Sequence, residues 1–223
     1  MVVITVAKPK EEVLEALRNY NAKKVLIISC GTCAALCQTG GTEGAKKMNE
    51  MLTEEGFEIT ETAVIEEICD NRVMKKDLRK LDAEVSESDV ILSMGCGLGA
   101  QSIVTVLQKN HPNIPVLISN DTKFIGMTER IGRFYKRCSA CGECYLNYTG
   151  GICPIANCAK GLMNGPCGGM VKGKCEVGNY ERDCGWILIY ERLKAIDRLD
   201  LFSRLRDARD WSESGHQQEV IFR

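Results

Sequence analysis

The sequence predicts an α/β chain: a doubly wound, mostly parallel sheet domain, then a small cysteine-rich module, then a C-terminal helix. Three observations carry this. Apolar runs of strand length alternate with helix-period segments over the first 130 or so residues, the rhythm of a parallel sheet with crossover helices. Eight of the 13 cysteines then fall between residues 138 and 184, where long apolar runs are absent. A segment with an apolar stripe follows them. The expected boundaries are 1–134 for the α/β domain, 135–185 for the cysteine-rich module and 186–223 for the C-terminal helix and tail.

Taken in order, residues 2–6 (Val-Val-Ile-Thr-Val) read as a short strand. Residues 8–20 read as a helix with Val13, Leu14, Leu17 and Tyr20 on one face. Residues 24–29 (Lys-Val-Leu-Ile-Ile-Ser) have the continuous apolar character of a strand buried on both faces. A helix over 42–55, an extended run over 57–68 and a helix over 73–86 follow. Residues 89–94 and 114–119 supply two further buried strands, with a helix over 99–109 between them. From Gly185 onward, Trp186, Ile189, Tyr190, Leu193 and Ile196 form one stripe of a helix expected to cover the sheet or the module. The tail from Trp211 to Arg223 is expected to fray.

Composition bounds the function. With 44% hydrophobic and 26% charged residues the chain has an ordinary globular make-up. A net charge of −1 gives no electrostatic case for nucleic acid or an anionic membrane. No apolar run approaches the roughly 20 residues needed to span a bilayer. The amino terminus lacks the pattern of a signal peptide, which points to the cytoplasm, where thiols stay reduced; the odd cysteine count also argues against disulfides.

The cysteine-rich stretch has turns at Thr149-Gly150-Gly151, Gly165-Pro166 and Gly168-Gly169 and too little apolar surface to fold by itself. Thiolate–metal bonds would supply the missing free energy. Eight thiolates, Cys138, Cys141, Cys144, Cys153, Cys158, Cys167, Cys175 and Cys184, make two four-thiolate sites, and either zinc or iron–sulfur clusters satisfy that count. The triplet Cys138-x2-Cys141-x2-Cys144 and the pair Cys153-Pro154 lean toward [4Fe–4S] clusters. By the ferredoxin rule that a tight triplet is completed from far along the chain, the expected partition is Cys138, Cys141, Cys144 and Cys184 in one site. Cys153, Cys158, Cys167 and Cys175 then form the other. Lys136, Arg137, Lys160, Lys172, Lys174 and Arg182 flank these cysteines and would offset the charge of a cluster.

The other five cysteines, Cys30, Cys33, Cys37, Cys69 and Cys96, fall at or just after predicted strands. The carboxyl ends of parallel strands share one edge of a sheet, so these cysteines should converge on a third site, cluster or zinc. Four suffice, and Cys30 is the expected spare because its strand should point it into the sheet. Thr39-Gly40-Gly41-Thr42 before a helix could form an anion nest. Gly95-Cys96-Gly97-Leu98-Gly99 is a degraded dinucleotide fingerprint, better read as backbone kept bare for a cluster. Glu43, Glu66, Glu67 and Asp70 lie near the same edge. His111 and His216 sit in no constellation, and no hydrolase, kinase or metalloprotease motif is present.

Residues 138–169, Cys-Ser-Ala-Cys-Gly-Glu-Cys through Gly-Gly-Ile-Cys-Pro to Gly-Pro-Cys-Gly-Gly, resemble the signature of the methylenetetrahydrofolate reductase C-terminal family. Gly173-Lys174-Cys175 and the Trp186 to Leu193 stretch continue the likeness, as do Cys30 to Gly41, Cys69 and Cys96 to Gly99; Met94 departs from it where a small residue is expected. The resemblance implies an iron–sulfur electron-transfer subunit. Its partner would be a separate flavin-bearing catalytic subunit that makes methyltetrahydrofolate, with a further subunit as upstream electron donor. Two readings from other classes stay open: a structural zinc scaffold, and an electron-transfer adaptor for another flavoenzyme.

Overall fold

The computed structural model describes residues 2–209 and Val220; the predicted fraying tail and His216 lie outside these, Val220 apart. The chain divides into two compact units, Met1–Tyr135 and Lys136–Arg223.

The first unit is α/β. In chain order it holds β1 (Val2–Ala7), α1 (Lys10–Asn19), β2 (Lys24–Cys30), α2 (Cys33–Leu36), α3 (Gly41–Glu54) and β3 (Glu58–Ile65). Then come α4 (Asn71–Leu78), α5 (Asp82–Glu87), β4 (Val90–Met94), α6 (Gly97–Leu107), β5 (Val116–Ile118), β6 (Asn120–Arg130) and β7 (Arg133–Lys136). Four strands form a parallel sheet in the order β3-β2-β4-β5.

Strand periodicity explains why both faces are covered. On β2, Val25 and Ile27 point to one side, where Val13, Leu14 and Leu17 of α1 and Ala45 and Leu52 of α3 pack on them. Leu26, Ile28 and Cys30 point to the other, against Met74 and Leu78 of α4, Val85 of α5 and Ile103 and Leu107 of α6. From Val25 to Ile28 every side chain is out of water, and β4 is equally dry. Crossover helices on both faces are what a run of unbroken apolar strands demands. Asp89 anchors the near ends of these strands, its Oδ2 accepting from the Lys23 and Lys24 amides at 2.7 and 2.8 Å.

The first strand does not join that sheet. β1 pairs antiparallel with β6, and β6 with β7, in a separate three-stranded sheet. Residues 120–136 have few buried side chains and no apolar run, so periodicity offered no sign of β6 and β7. The expected helix over 73–86 is also broken, into α4, a short 3-10 turn at Arg79–Leu81, and α5.

The glycines of the Gly95 to Gly99 stretch serve packing. A Cβ on Gly95 would lie 2.2 Å from Ile68 Cδ1, and one on Gly99 would lie 2.3 Å from the same atom. Ile68 is 1% exposed and is driven between the two glycines from the loop after β3. The bareness of Gly95 and Gly99, expected to serve a cluster, makes room for this core side chain. Gly40 is likewise enclosed, with a Cβ meeting Ala34 Cβ at 2.8 Å and the Met94 carbonyl at 2.9 Å.

The second unit contains α7 (Pro154–Asn157) and α8 (Gly185–Ala195), with 3-10 turns at Leu146–Tyr148 and Leu199–Leu201. Its core is small: Cys184, Trp186, Ile189 and Leu193, with Ile152, Cys158, Leu162, Met170, Leu201 and Phe202 around them. The Trp186 indole donates to the Leu162 carbonyl at 3.0 Å and meets Phe202 edge-on. Among the described residues no helix is long and apolar enough to cross a membrane.

The Ile68 insertion is testable. Gly99→Ala should cost about 1–3 kcal/mol by overpacking, read as a lower denaturation midpoint. Combined with Ile68→Ala, the loss should fall short of the sum of the two single losses by about 1 kcal/mol. Strict additivity would show that the two positions do not share that space.

Candidate metal centres

At the carboxyl edge of the parallel sheet, four of the five thiols gather. Cys30 ends β2, Cys33 opens α2, Cys69 lies in the turn between β3 and α4, and Cys96 immediately precedes α6. Burial pushes the Cys69 thiol up, and the neighbouring Cys96, Cys30 and Cys33 sulfurs push it further, since negative charge there disfavours one more thiolate. Cys30 shows the opposite balance. Burial alone would raise its thiol. The Thr32 hydroxyl and the backbone N–H groups of Thr32, Ala34 and Ile68 donate to the sulfur and hold it below the ordinary cysteine value. The thiol itself donates to the Glu66 carbonyl at 3.8 Å.

Cys37 faces elsewhere, its Sγ lying 3.8 Å from the Val3 carbonyl on β1. Cys30, the expected spare thiol, is among the sulfurs that act on Cys69, whereas Cys37 turns to β1. The turn after β2 doubles back as α2, so that its amides embrace Cys30, while one helical turn carries Cys37 away toward β1. The edge is braced by β6, where Thr122 Oγ1 accepts the Gly97 N–H at 2.8 Å, and by Asn120, whose Nδ2 donates to the Thr39 carbonyl at 3.1 Å. The Thr39 hydroxyl meets Thr5 at 2.6 Å, and the Thr39 N–H donates to the Ala34 carbonyl at 2.9 Å, so the first amide of the predicted anion nest is committed inside the fold. Asp70 caps α4 through the Arg72 N–H at 2.8 Å; hydrogen bonds from Arg72 hold its carboxyl far below the usual carboxylate range. His111 pairs with Asp82 at 2.8 Å.

In the second unit the triplet finds a partner other than the expected one. Cys138, Cys141, Cys144 and Cys153 line one cavity of about 180 Å³, together with Arg137, Tyr145, Leu146 and Pro154. Cys184 is instead buried at the start of α8 among Trp186, Ile189 and Leu193. Cys153, rather than the expected Cys184, thus lines the cavity of the triplet. The reason is α7: Cys153 sits just before this four-residue helix and Cys158 just after it, so the two thiols are held at opposite ends. Gly185 packs on the far end, where a Cβ would lie 2.9 Å from the Cys158 amide nitrogen. That close approach sets Cys184 beside Cys158.

Cys175 reaches the same neighbourhood through a small hairpin. Its N–H donates to the Arg182 carbonyl at 2.8 Å, and the Cys184 N–H donates to the Gly173 carbonyl at 2.8 Å. Cys167 Sγ lies 3.8 Å from the carboxylate of Glu176, the residue after Cys175. Cys158 and Cys184 are thus neighbours, and the hairpin joins Cys175 to the segment that ends at Cys184. Among the described residues, no three Cys, His, Asp or Glu side chains close in tightly enough to hold a single metal ion directly.

Of the flanking cations singled out from the sequence, Lys160 pairs with Glu176 beside Cys167, Arg137 donates to Asn157 at 2.7 Å, and Lys174 pairs with Asp183. The cation that touches the triplet is one the sequence did not single out. Arg209 donates from Nη1 to Cys141 Sγ at 3.1 Å across 68 residues of chain, and no local spacing signals such a contact.

A short bifunctional thiol reagent should link Cys153 to Cys138, Cys141 or Cys144, mapped by peptide mass, and should leave Cys184 out of those links. Links from Cys184 to the triplet would restore the partition expected from the sequence.

One family model, described as methylene-tetrahydrofolate reductase C terminal, matches residues 117–212. No curated protein matches the chain. The matched stretch takes in all eight thiols of the second unit, and the family it matches is the one that the cysteine signature resembles.

Proposed function

We propose that this chain is the iron–sulfur electron-transfer subunit of a methylenetetrahydrofolate reductase complex. It would deliver electrons to the flavin of a separate catalytic chain that makes methyltetrahydrofolate, and would itself be supplied by an upstream donor subunit. The observation that carries this is the cavity shared by Cys138, Cys141, Cys144 and Cys153 inside the stretch that matches the family.

The donor set suits the group. At about 180 Å³ the cavity far exceeds the roughly 10–15 Å³ that one water-sized ligand needs. Four thiols spaced around such a volume fit a [4Fe–4S] cluster, ligated at its corners, better than one zinc ion, which gathers its sulfurs at a point. A bound cluster supplies storage and release of single electrons. Cys158, Cys167, Cys175 and Cys184 are the thiols for a second cluster. Cys30, Cys33, Cys69 and Cys96 are those for a third centre, cluster or zinc.

The chain's own residues would do the rest. Cys138 and Cys144 are exposed, so one rim of the cavity opens to a docking partner, whereas Cys184 is buried and shielded by α8. The amides around Cys30 would hold negative charge on that sulfur without a proton. The small core of the second unit also fits this reading, since metal–thiolate bonds contribute folding free energy where apolar burial is scarce.

An anaerobic preparation should be brown and should contain iron with acid-labile sulfide. Cys96→Ser should remove one centre and leave the other two, Cys37→Ser should remove none, and the rate of flavin reduction in the partner should drop only for Cys96→Ser. Colourless protein carrying zinc alone would favour the scaffold reading. Iron-loaded protein that reduces a different flavoenzyme, and not this reductase, would favour the adaptor.

A further inference from the structure

Two guanidiniums are held almost out of water beside the Cys138–Cys153 cavity. The segment after the Leu199–Leu201 turn runs back along the triplet loop and is pinned there by Asn164. The Asn164 Nδ2 donates to the Arg206 carbonyl at 2.9 Å, and its Oδ1 accepts the Arg206 N–H at 2.9 Å. This strap turns Arg206 and Arg209 inward, where their side chains are only 7% and 3% exposed.

Arg206 lies 3.8 Å above the ring of Tyr145 and pairs with the Glu143 carboxylate. Arg209 Nε stands 3.9 Å from the other Glu143 oxygen, and its Nη1 donates to Cys141 Sγ at 3.1 Å. Two buried cations thus share Glu143, whose own side chain is 63% exposed. A desolvated guanidinium is stabilised by anionic partners, and negative charge arriving on the Cys141 side would be one. The equivalent cation at Cys167 is Lys160, 41% exposed, and water screens it.

We infer that Arg209 is a positioning residue for the Cys138, Cys141, Cys144 and Cys153 centre, a buried fixed charge that favours its reduced form. The inference rests on the cluster reading given above. Reduction adds one electron from a chemical reductant to the centre, with no bond made or broken and no proton required. A guanidinium bonded to one of the ligand sulfurs stabilises that added charge, more so because the site around it is dry. Glu143 opposes it.

The test is a redox titration of the anaerobically purified chain, following the paramagnetic signal that Cys153→Ser abolishes. Arg209→Gln should lower the reduced-to-oxidised ratio at fixed poise about tenfold, which is about 59 mV for one electron. Arg209→Lys should recover part of the shift, and Glu143→Gln should move the ratio the opposite way. Opposite shifts would not follow from a purely structural strap. Identical titrations for wild type and all three variants would overturn the inference, as would loss of iron from this centre in both Arg209→Gln and Glu143→Gln. Wild-type protein without iron would overturn the cluster reading itself, a result distinct from either.

Discussion

The first unit depends on the burial of β2 from both sides. Val25 and Ile27 are sealed by α1 and α3, Leu26 and Ile28 by the helices of the other face. With neither face free, the strand can neither slip register nor rotate, because a one-residue shift would swap the two apolar sets. Its last residue, Cys30, is therefore placed to within the tolerance of a packed core. β4 is locked beside it in parallel register and delivers Cys96 to the same edge. The thiols of that edge inherit the rigidity of the sheet rather than having to create it.

The second unit rests on a different balance. Its described core is little more than one face of α8 with a few neighbours, and its chain is full of turns. Close backbone contacts take over part of the work: Gly185 against Cys158, the Gly173–Cys184 hydrogen bond, Cys153 and Cys158 parted by one short helix. Each of these fixes where a cysteine stands more than it buries surface.

Charge is distributed unevenly over the thiol groups, and burial decides how much each cation matters. Arg209 reaches Cys141 through a nearly dry strap, whereas Lys160 stands beside Cys167 in contact with water. At the sheet edge Cys30 has a third setting. Its sulfur is served by a hydroxyl and backbone amides, which carry no net charge and do not titrate. Three thiol groups of the same composition thereby sit in three electrostatic settings.

Much of this was legible in the sequence. Unbroken apolar runs such as Val25–Ile28 can only be strands covered twice, so the α/β class followed, and so did the arrival of Cys30 and Cys96 at a shared edge. The signature between residues 138 and 169 pointed to the family whose model matches residues 117–212. What only the tertiary structure decided are matters of direction and long-range approach. Whether Cys30 or Cys37 turns away depends on how α2 folds back on β2. That Cys153 rather than Cys184 faces the triplet depends on a helix of four residues. The role of Gly95 and Gly99 depends on Ile68 arriving from another loop, and the partner of Cys141 is 68 residues distant. Periodicity reports which face of an element is buried because that is a local average over neighbouring residues. The direction of a single side chain in a turn is set by packing against residues far away in the chain, and local pattern carries no record of it.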